Sequence, residues 1–206
     1  MKMIKRLAVT LGLSIAVSSV GLTQANAATL SGNLTADDAF TAYISTSDSV
    51  LGDALASGSY WGTPQSFAAA LTSGTNYYLH IAATDLYGPP SAFLGSFSLT
   101  GAEFKFANGA QSLVTNATDW NVSASGFGSS YITPYTFGNN GIGPWGTMTS
   151  IDPKAQWIWT GPSGTVGKAY FSTTIAAVPE PETYAMLLAG LGFMGFVASR
   201  KKQNAA

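Results

Sequence analysis

The sequence predicts an all-β domain, a sandwich or jelly roll, held between two apolar terminal segments. Three observations carry this. No stretch between Ala28 and Ala177 sustains a helical period of apolar residues. Short runs in which apolar and polar residues alternate recur along it, the pattern of half-buried strands. Turn-forming clusters separate these runs at Ser73-Gly74, Gly88-Pro89-Pro90, Asn108-Gly109 and Pro162-Ser163-Gly164, where the residue types favour chain reversal.

Successive residues of a strand point to opposite sides, so each run also assigns faces. Phe40, Ala42 and Ile44 share one face. Tyr77, Leu79, Ile81 and Ala83 share another, with Tyr78, His80 and Thr84 on the reverse, more polar side. Phe93, Phe97 and Leu99 continue the pattern. Phe104 with Phe106, Trp157 with Trp159, and Ala169, Phe171, Thr173 and Ile175 complete it. A short helix is the alternative near Ser49–Ser57 or Phe67–Leu71. Residues 28–177 are long enough for one domain with its own core.

The net charge of −1 hides a sorted distribution. Lys2, Lys5 and Arg6 lie at the start and Arg200, Lys201 and Lys202 at the end. Between them stand three lysines, at 105, 154 and 168, against eight acids, which leaves the middle at −5. Such a surface repels phosphate backbones and argues against nucleic acid as a partner. The chain has no cysteine, which excludes disulfides and thiolate metal centres.

The N-terminal end reads as a cleavable signal peptide over residues 1–27. The basic residues precede an uncharged apolar run from Leu7 to Val20, and Ala25-Asn26-Ala27 supplies the small residues that signal peptidase reads. The mature chain is then expected to start at Ala28; a permanent N-terminal anchor is the alternative. At the other end, Val178-Pro179-Glu180-Pro181-Glu182 leads into an uncharged, mostly apolar segment from Thr183 to Ser199. As a helix it would be about 26 Å long, the short end of what crosses a bilayer. The closing Arg200-Lys201-Lys202 would stay in the cytoplasm. The prolines are expected to mark an extended stretch outside the membrane.

The order Pro179-Glu180-Pro181, apolar helix, basic cluster over residues 178–206 resembles the PEP-CTERM sorting tail, and Gly190, Gly192 and Gly195 fit within it. The resemblance implies exosortase as a processing partner and a transient passage through the inner membrane of a Gram-negative bacterium. It implies a final place on the cell surface or in the extracellular matrix of exopolysaccharide. A second resemblance covers the middle. Ala36-Asp37-Asp38-Ala39-Phe40-Thr41-Ala42-Tyr43, Trp61, Asn76-Tyr77-Tyr78-Leu79 through Asp85, Asp119-Trp120-Asn121, Gly143-Pro144-Trp145-Gly146 and Gln156-Trp157-Ile158-Trp159 look like the galactose-binding-like jelly roll attached to many glycoside hydrolases. Where that module commonly turns at Asn-Gly, this chain has Ser45-Thr46-Ser47-Asp48, so a longer hairpin is expected.

Catalytic chemistry is sparse. Sugar hydrolysis usually needs two carboxylates facing a cleft. Asp37 and Asp38 are neighbours, expected to point to opposite faces and to serve turn hydrogen bonds, with a structural Ca²⁺ as the sharper alternative. His80 is the single histidine, without a Gly-x-Ser-x-Gly elbow to complete a triad, and is expected at a surface or cross-strand position. No catalytic residue, metal site or cofactor is assigned. The aromatics Trp61, Tyr87, Tyr131, Tyr135, Phe137 and Trp145 fall in or near Gly/Pro/Asn-rich segments; of these Trp61, Tyr87 and Trp145, with Asp85, are the candidates for stacking on sugar rings and bonding hydroxyls, and capping the sandwich ends is the bland alternative. The leading expectation is a non-enzymatic surface protein contacting exopolysaccharide. A small glycan-active hydrolase and a purely structural domain are the alternatives.

Overall fold

The computed structural model describes residues 28–162, 167–179 and 181–203, with side chains of 184–195 in the last stretch. The expected signal segment, residues 1–27, and Glu180 of the sorting motif lie outside the described residues. In chain order the strands are β1 (Ala28–Asp37), β2 (Ala39–Ser45), β3 (Asp53–Gly58), β4 (Gln65–Leu71), β5 (Tyr77–Thr84) and β6 (Ala92–Thr100). Then come β7 (Phe104–Phe106), β8 (Ser112–Val114), β9 (Asn121–Ser123), β10 (Tyr135–Asn139), β11 (Gln156–Trp159) and β12 (Lys168–Ala177), followed by helix α1 (Pro181–Gln203).

The strands form two antiparallel sheets, a β-sandwich. The first runs β10-β11-β6-β1-β4, with β8 also on β6. The second runs β3-β2-β5-β12-β7, with β9 also on β12. The alternating faces read from the sequence meet between the sheets. Leu30, Leu34, Phe93 and Phe97 of the first sheet are buried with Ala42, Leu79, Ile81, Phe171 and Ile175 of the second. A fully buried Leu, Ile or Phe contributes on the order of 1.5–3 kcal/mol, so this layer is the main source of stability. A second cluster forms on the outer side of the first sheet, where the segment after β10 folds back and Trp145, Met148 and Ile151 cover Ala92, Leu94 and Trp157. Trp157 and Trp159, expected on one face, therefore serve different clusters.

Several expectations are corrected. The alternative helices near 49–57 and 67–71 are absent among the described residues. The Ala-rich segments are β3, paired with β2, and β4, paired with β1; tertiary pairing overrides a local helical preference. The β2–β3 hairpin is long, as expected, with residues 46–52 as its loop. At the C-terminus Pro181 opens α1 rather than lying in an extended stretch, which the first helical turn tolerates because its N–H has no helical partner. Among the described residues no helix is long and apolar enough to cross a membrane. The expected transmembrane helix is corrected accordingly: Gly190, Gly192 and Gly195 interrupt the apolar stretch of α1, and Arg200, Lys201 and Lys202 close it. Along α1, Met186, Leu188, Phe193 and Met194 are exposed.

Candidate functional site

The residues singled out from the sequence gather at one end of the sandwich, where β1 runs into β2 and β5 into the loop before β6. Asp85 ends β5 and is buried. Its Oδ1 accepts from the N–H groups of Tyr87 at 3.1 Å and Gly88 at 2.8 Å, and its Oδ2 from the Ser91 hydroxyl. It shapes the loop that presents Tyr87, which is 88% exposed. Asp38 Oδ2 accepts from Leu86 N–H at 2.8 Å and Tyr87 N–H at 3.2 Å, tying the same loop to the β1–β2 corner. Trp61 is half-buried against the outer cluster, beside the exposed Tyr60 at 5.4 Å between ring centroids. Its carbonyl accepts from Thr35 Oγ1 at 2.8 Å.

Trp145 is the exception among the expected sugar-stacking residues. It is 3% exposed, and its ring lies on Trp157 at 4.6 Å and 22°. A face already covered by another indole is closed to a ligand, so Trp145 is a packing residue. Its Nε1 donates to Asp37 Oδ2 at 2.8 Å. Asp37 and Asp38 were expected on opposite faces, but their side chains are hydrogen-bonded to each other. Strict alternation lapses there, because β1 ends at Asp37 and β2 begins at Ala39. Burial, then the Asp38 hydrogen bond, pushes the Asp37 carboxyl up to about 7, helped by the charges of Asp38 and Asp85; the Trp145 hydrogen bond works against the rise. Asp38 and Asp85 are committed to the N–H and O–H donors of the loop, which suits loop fixation. Among the described residues no group of three or more His, Asp or Glu is set to hold a metal ion.

A polar cluster that sequence reasoning missed lies on the outer face of the second sheet. His80, expected at a surface or cross-strand position, takes the cross-strand one between Tyr43 and Ser172 and is fully buried. Residues 124–132 fold over it, and Phe127 stacks on its ring at 4.1 Å and 12°. Asp48, from the long β2–β3 loop, is the common acceptor: its Oδ1 receives Tyr131 Oη at 2.9 Å and Ser172 Oγ at 2.8 Å, and lies 3.3 Å from His80 Nε2. Ser172 bonds Asp48 rather than His80, so this is no nucleophilic triad. Burial, foremost, raises the Tyr131 phenol. Register could have found part of this, since Tyr43, His80 and Ser172 stand opposite one another across β2, β5 and β12. The covering loop carried no such signal.

Beside this cluster a groove of about 460 Å³ runs over the same outer face. Thr41 and Tyr43 of β2, Ala82 and Thr84 of β5, and Lys168 and Tyr170 of β12 line it. In the sequence these six are ordinary outward strand positions, without a Gly/Pro-rich or paired-carboxylate signal.

Below the sandwich, β12 stays bonded to its last residue. Ala177 N–H donates to Asn76 Oδ1 at 2.9 Å and Val178 N–H to the Glu103 carbonyl at 2.7 Å. Pro179 follows, exposed. Residues 177–202 match the family model described as the PEP-CTERM protein-sorting motif. The motif indicates an exported protein, processed by exosortase at the membrane and sorted to the surface. No curated protein and no solved structure matches the chain.

Proposed function

We propose, from the premise of a PEP-CTERM sorting motif at residues 177–202, that the sandwich is a non-enzymatic surface or matrix domain contacting exopolysaccharide. The sorting motif carries the reading, because it delivers the domain to where polysaccharide surrounds the cell. The surface chemistry supports it. The mature middle has no arginine and carries −5, so it lacks the bidentate forks that hold strongly anionic polymers. Exposed Tyr87 and half-buried Trp61 offer aromatic faces at the loop end, with Asp85 holding the Tyr87 loop in place. The jelly-roll architecture of galactose-binding-like modules is the finer form of the same reading. In this reading exosortase cuts the tail at the inner membrane of a Gram-negative cell.

Two measurements test it. Intact mass of the protein recovered from its host surface should lack both the signal segment and the tail; a surface form retaining the tail rejects the sorting part. The full chain, purified in detergent, should be retained on insoluble neutral glucans or galactans at low and high salt alike. Tyr87→Ala and Trp61→Ala should each weaken retention, by about 1 kcal/mol per lost aromatic contact. Retention confined to acidic polymers and abolished by salt rejects the contact part. The Asp37–Asp38 pair, with one carboxyl near neutrality, favours a small hydrolase as the second reading. Release of reducing sugar by the parent, lost in Asp37→Asn, would select it.

A further inference from the structure

The groove over the second sheet has the form of a ring-binding trough. Its floor is Ala82, a small residue at the middle of β5. Tyr170 stands opposite Ala82 on β12, while Tyr43 stands on β2 opposite His80, two residues along β5. Strands lie about 4.8 Å apart and rise about 3.4 Å per residue, so the two tyrosines are rooted roughly 12 Å apart on a diagonal. That spacing leaves one sugar ring's width above Ala82. The volume of about 460 Å³ falls within the 300–1,000 Å³ typical of small-ligand clefts.

The walls are held in place. Phe127 packs edge-on against Tyr170 at 5.1 Å, and Phe127 is itself stacked on the buried His80. His80 and Ser172 are fixed by Asp48. A ring anchored on one flank loses little entropy when a ligand meets the other. Thr41 and Thr84 place hydroxyls along the groove, suited to the hydroxyls of a sugar. Lys168 stands opposite Thr84, exposed, and no ion pair among the described residues engages it.

We propose that this groove binds a single pyranose unit bearing one carboxylate, a uronate within an otherwise weakly charged polysaccharide. Tyr43 and Tyr170 flank the ring and Lys168 meets the carboxylate. The charge pattern sets the class. One lysine in the groove of a domain of −5 accepts an isolated acid, whereas a densely anionic polymer would meet repulsion on every side. The inference rests on the proposed contact with polysaccharide, and it adds a site and a sugar class that the loop end does not supply.

The test is calorimetric titration of the full chain in detergent with a galacto-oligosaccharide bearing a single galacturonate unit and with its neutral counterpart. The parent should bind the acidic oligomer more tightly. Tyr43→Ala and Tyr170→Ala should each weaken both ligands about threefold to tenfold. Lys168→Gln, at an exposed position, should bring the acidic oligomer down to the neutral one, while Lys105→Gln leaves the preference intact. Equal binding by the parent and all three groove variants overturns the groove but leaves polysaccharide contact standing. So does a parent that is retained on insoluble glucan or galactan yet binds neither oligomer. A parent that meets no glycan in either format overturns both.

Discussion

Replacing Asp37 by asparagine should flatten the domain's stability between about pH 5 and 8 and raise it at the alkaline end. In the parent, the carboxyl is pushed up to about 7 from 3.8, chiefly by burial and by the hydrogen bond to Asp38. The folded state therefore holds a proton that the unfolded chain has already released. A group raised in this way contributes its full stability below the unfolded value, near pH 4, and loses it as pH climbs through 7. Taken whole, the shift corresponds to about 4 kcal/mol. The site is partly open to water, and screening reduces this to about 1–2 kcal/mol. The substituted amide has no proton to release in this range, and its carbonyl can accept from Trp145 Nε1 as the carboxyl does. Thermal unfolding followed by tryptophan fluorescence is the assay. The parent midpoint should fall by about 3–6 °C from pH 5 to 8, and Asp37→Asn should fall distinctly less. Parallel curves for the two proteins would refute the assignment of the proton to this corner.

Other substitutions test the remaining architecture. Trp145→Ala should cost about 3–5 kcal/mol in thermal or urea unfolding, since it empties the outer cluster against Trp157 and strips a donor from Asp37; a near-neutral effect would restore it as a surface residue. Asp48→Ala should cost about 2–4 kcal/mol, because Ser172, Tyr131 and His80 lose their common acceptor; Asp48→Asn, which keeps an acceptor oxygen, should cost less. Protection of residues 124–132 in hydrogen exchange should drop with it. Gly52→Ala should destabilise by at least about 1–3 kcal/mol, because Gly52 has φ +86 and an added Cβ would collide with the Ile44 carbonyl oxygen. An unchanged midpoint there would show that the β2–β3 loop can be rebuilt at no cost.

The inter-sheet core was legible because alternation fixes faces wherever one side of a strand is buried and the other is wet. Leu79, Ile81 and Ala83, and likewise Phe171 and Ile175, went where period two sends them. The same rule put His80 on the right face but did not show its burial. Alternation says which side of the sheet a residue faces, not whether that side stays open, and residues 124–132 close it with Phe127. Trp145 failed for the related reason that the segment containing it folds back onto the first sheet, a long-range event without a local signature. Asp37 and Asp38 failed where the strand itself stopped. For His80 and Trp145 the surprise came from a loop that adds a third layer to a two-layer fold. The groove is the converse case. It lies on the part of that outer face which residues 124–132 leave open, so its lining residues are where period two places them: Thr41 and Tyr43, Ala82 and Thr84, Lys168 and Tyr170 alternate with core positions on their strands. In a sandwich with long covering loops, outward aromatic positions that remain open after the loops are placed are therefore better site candidates than aromatics within the loops, which the second core recruits.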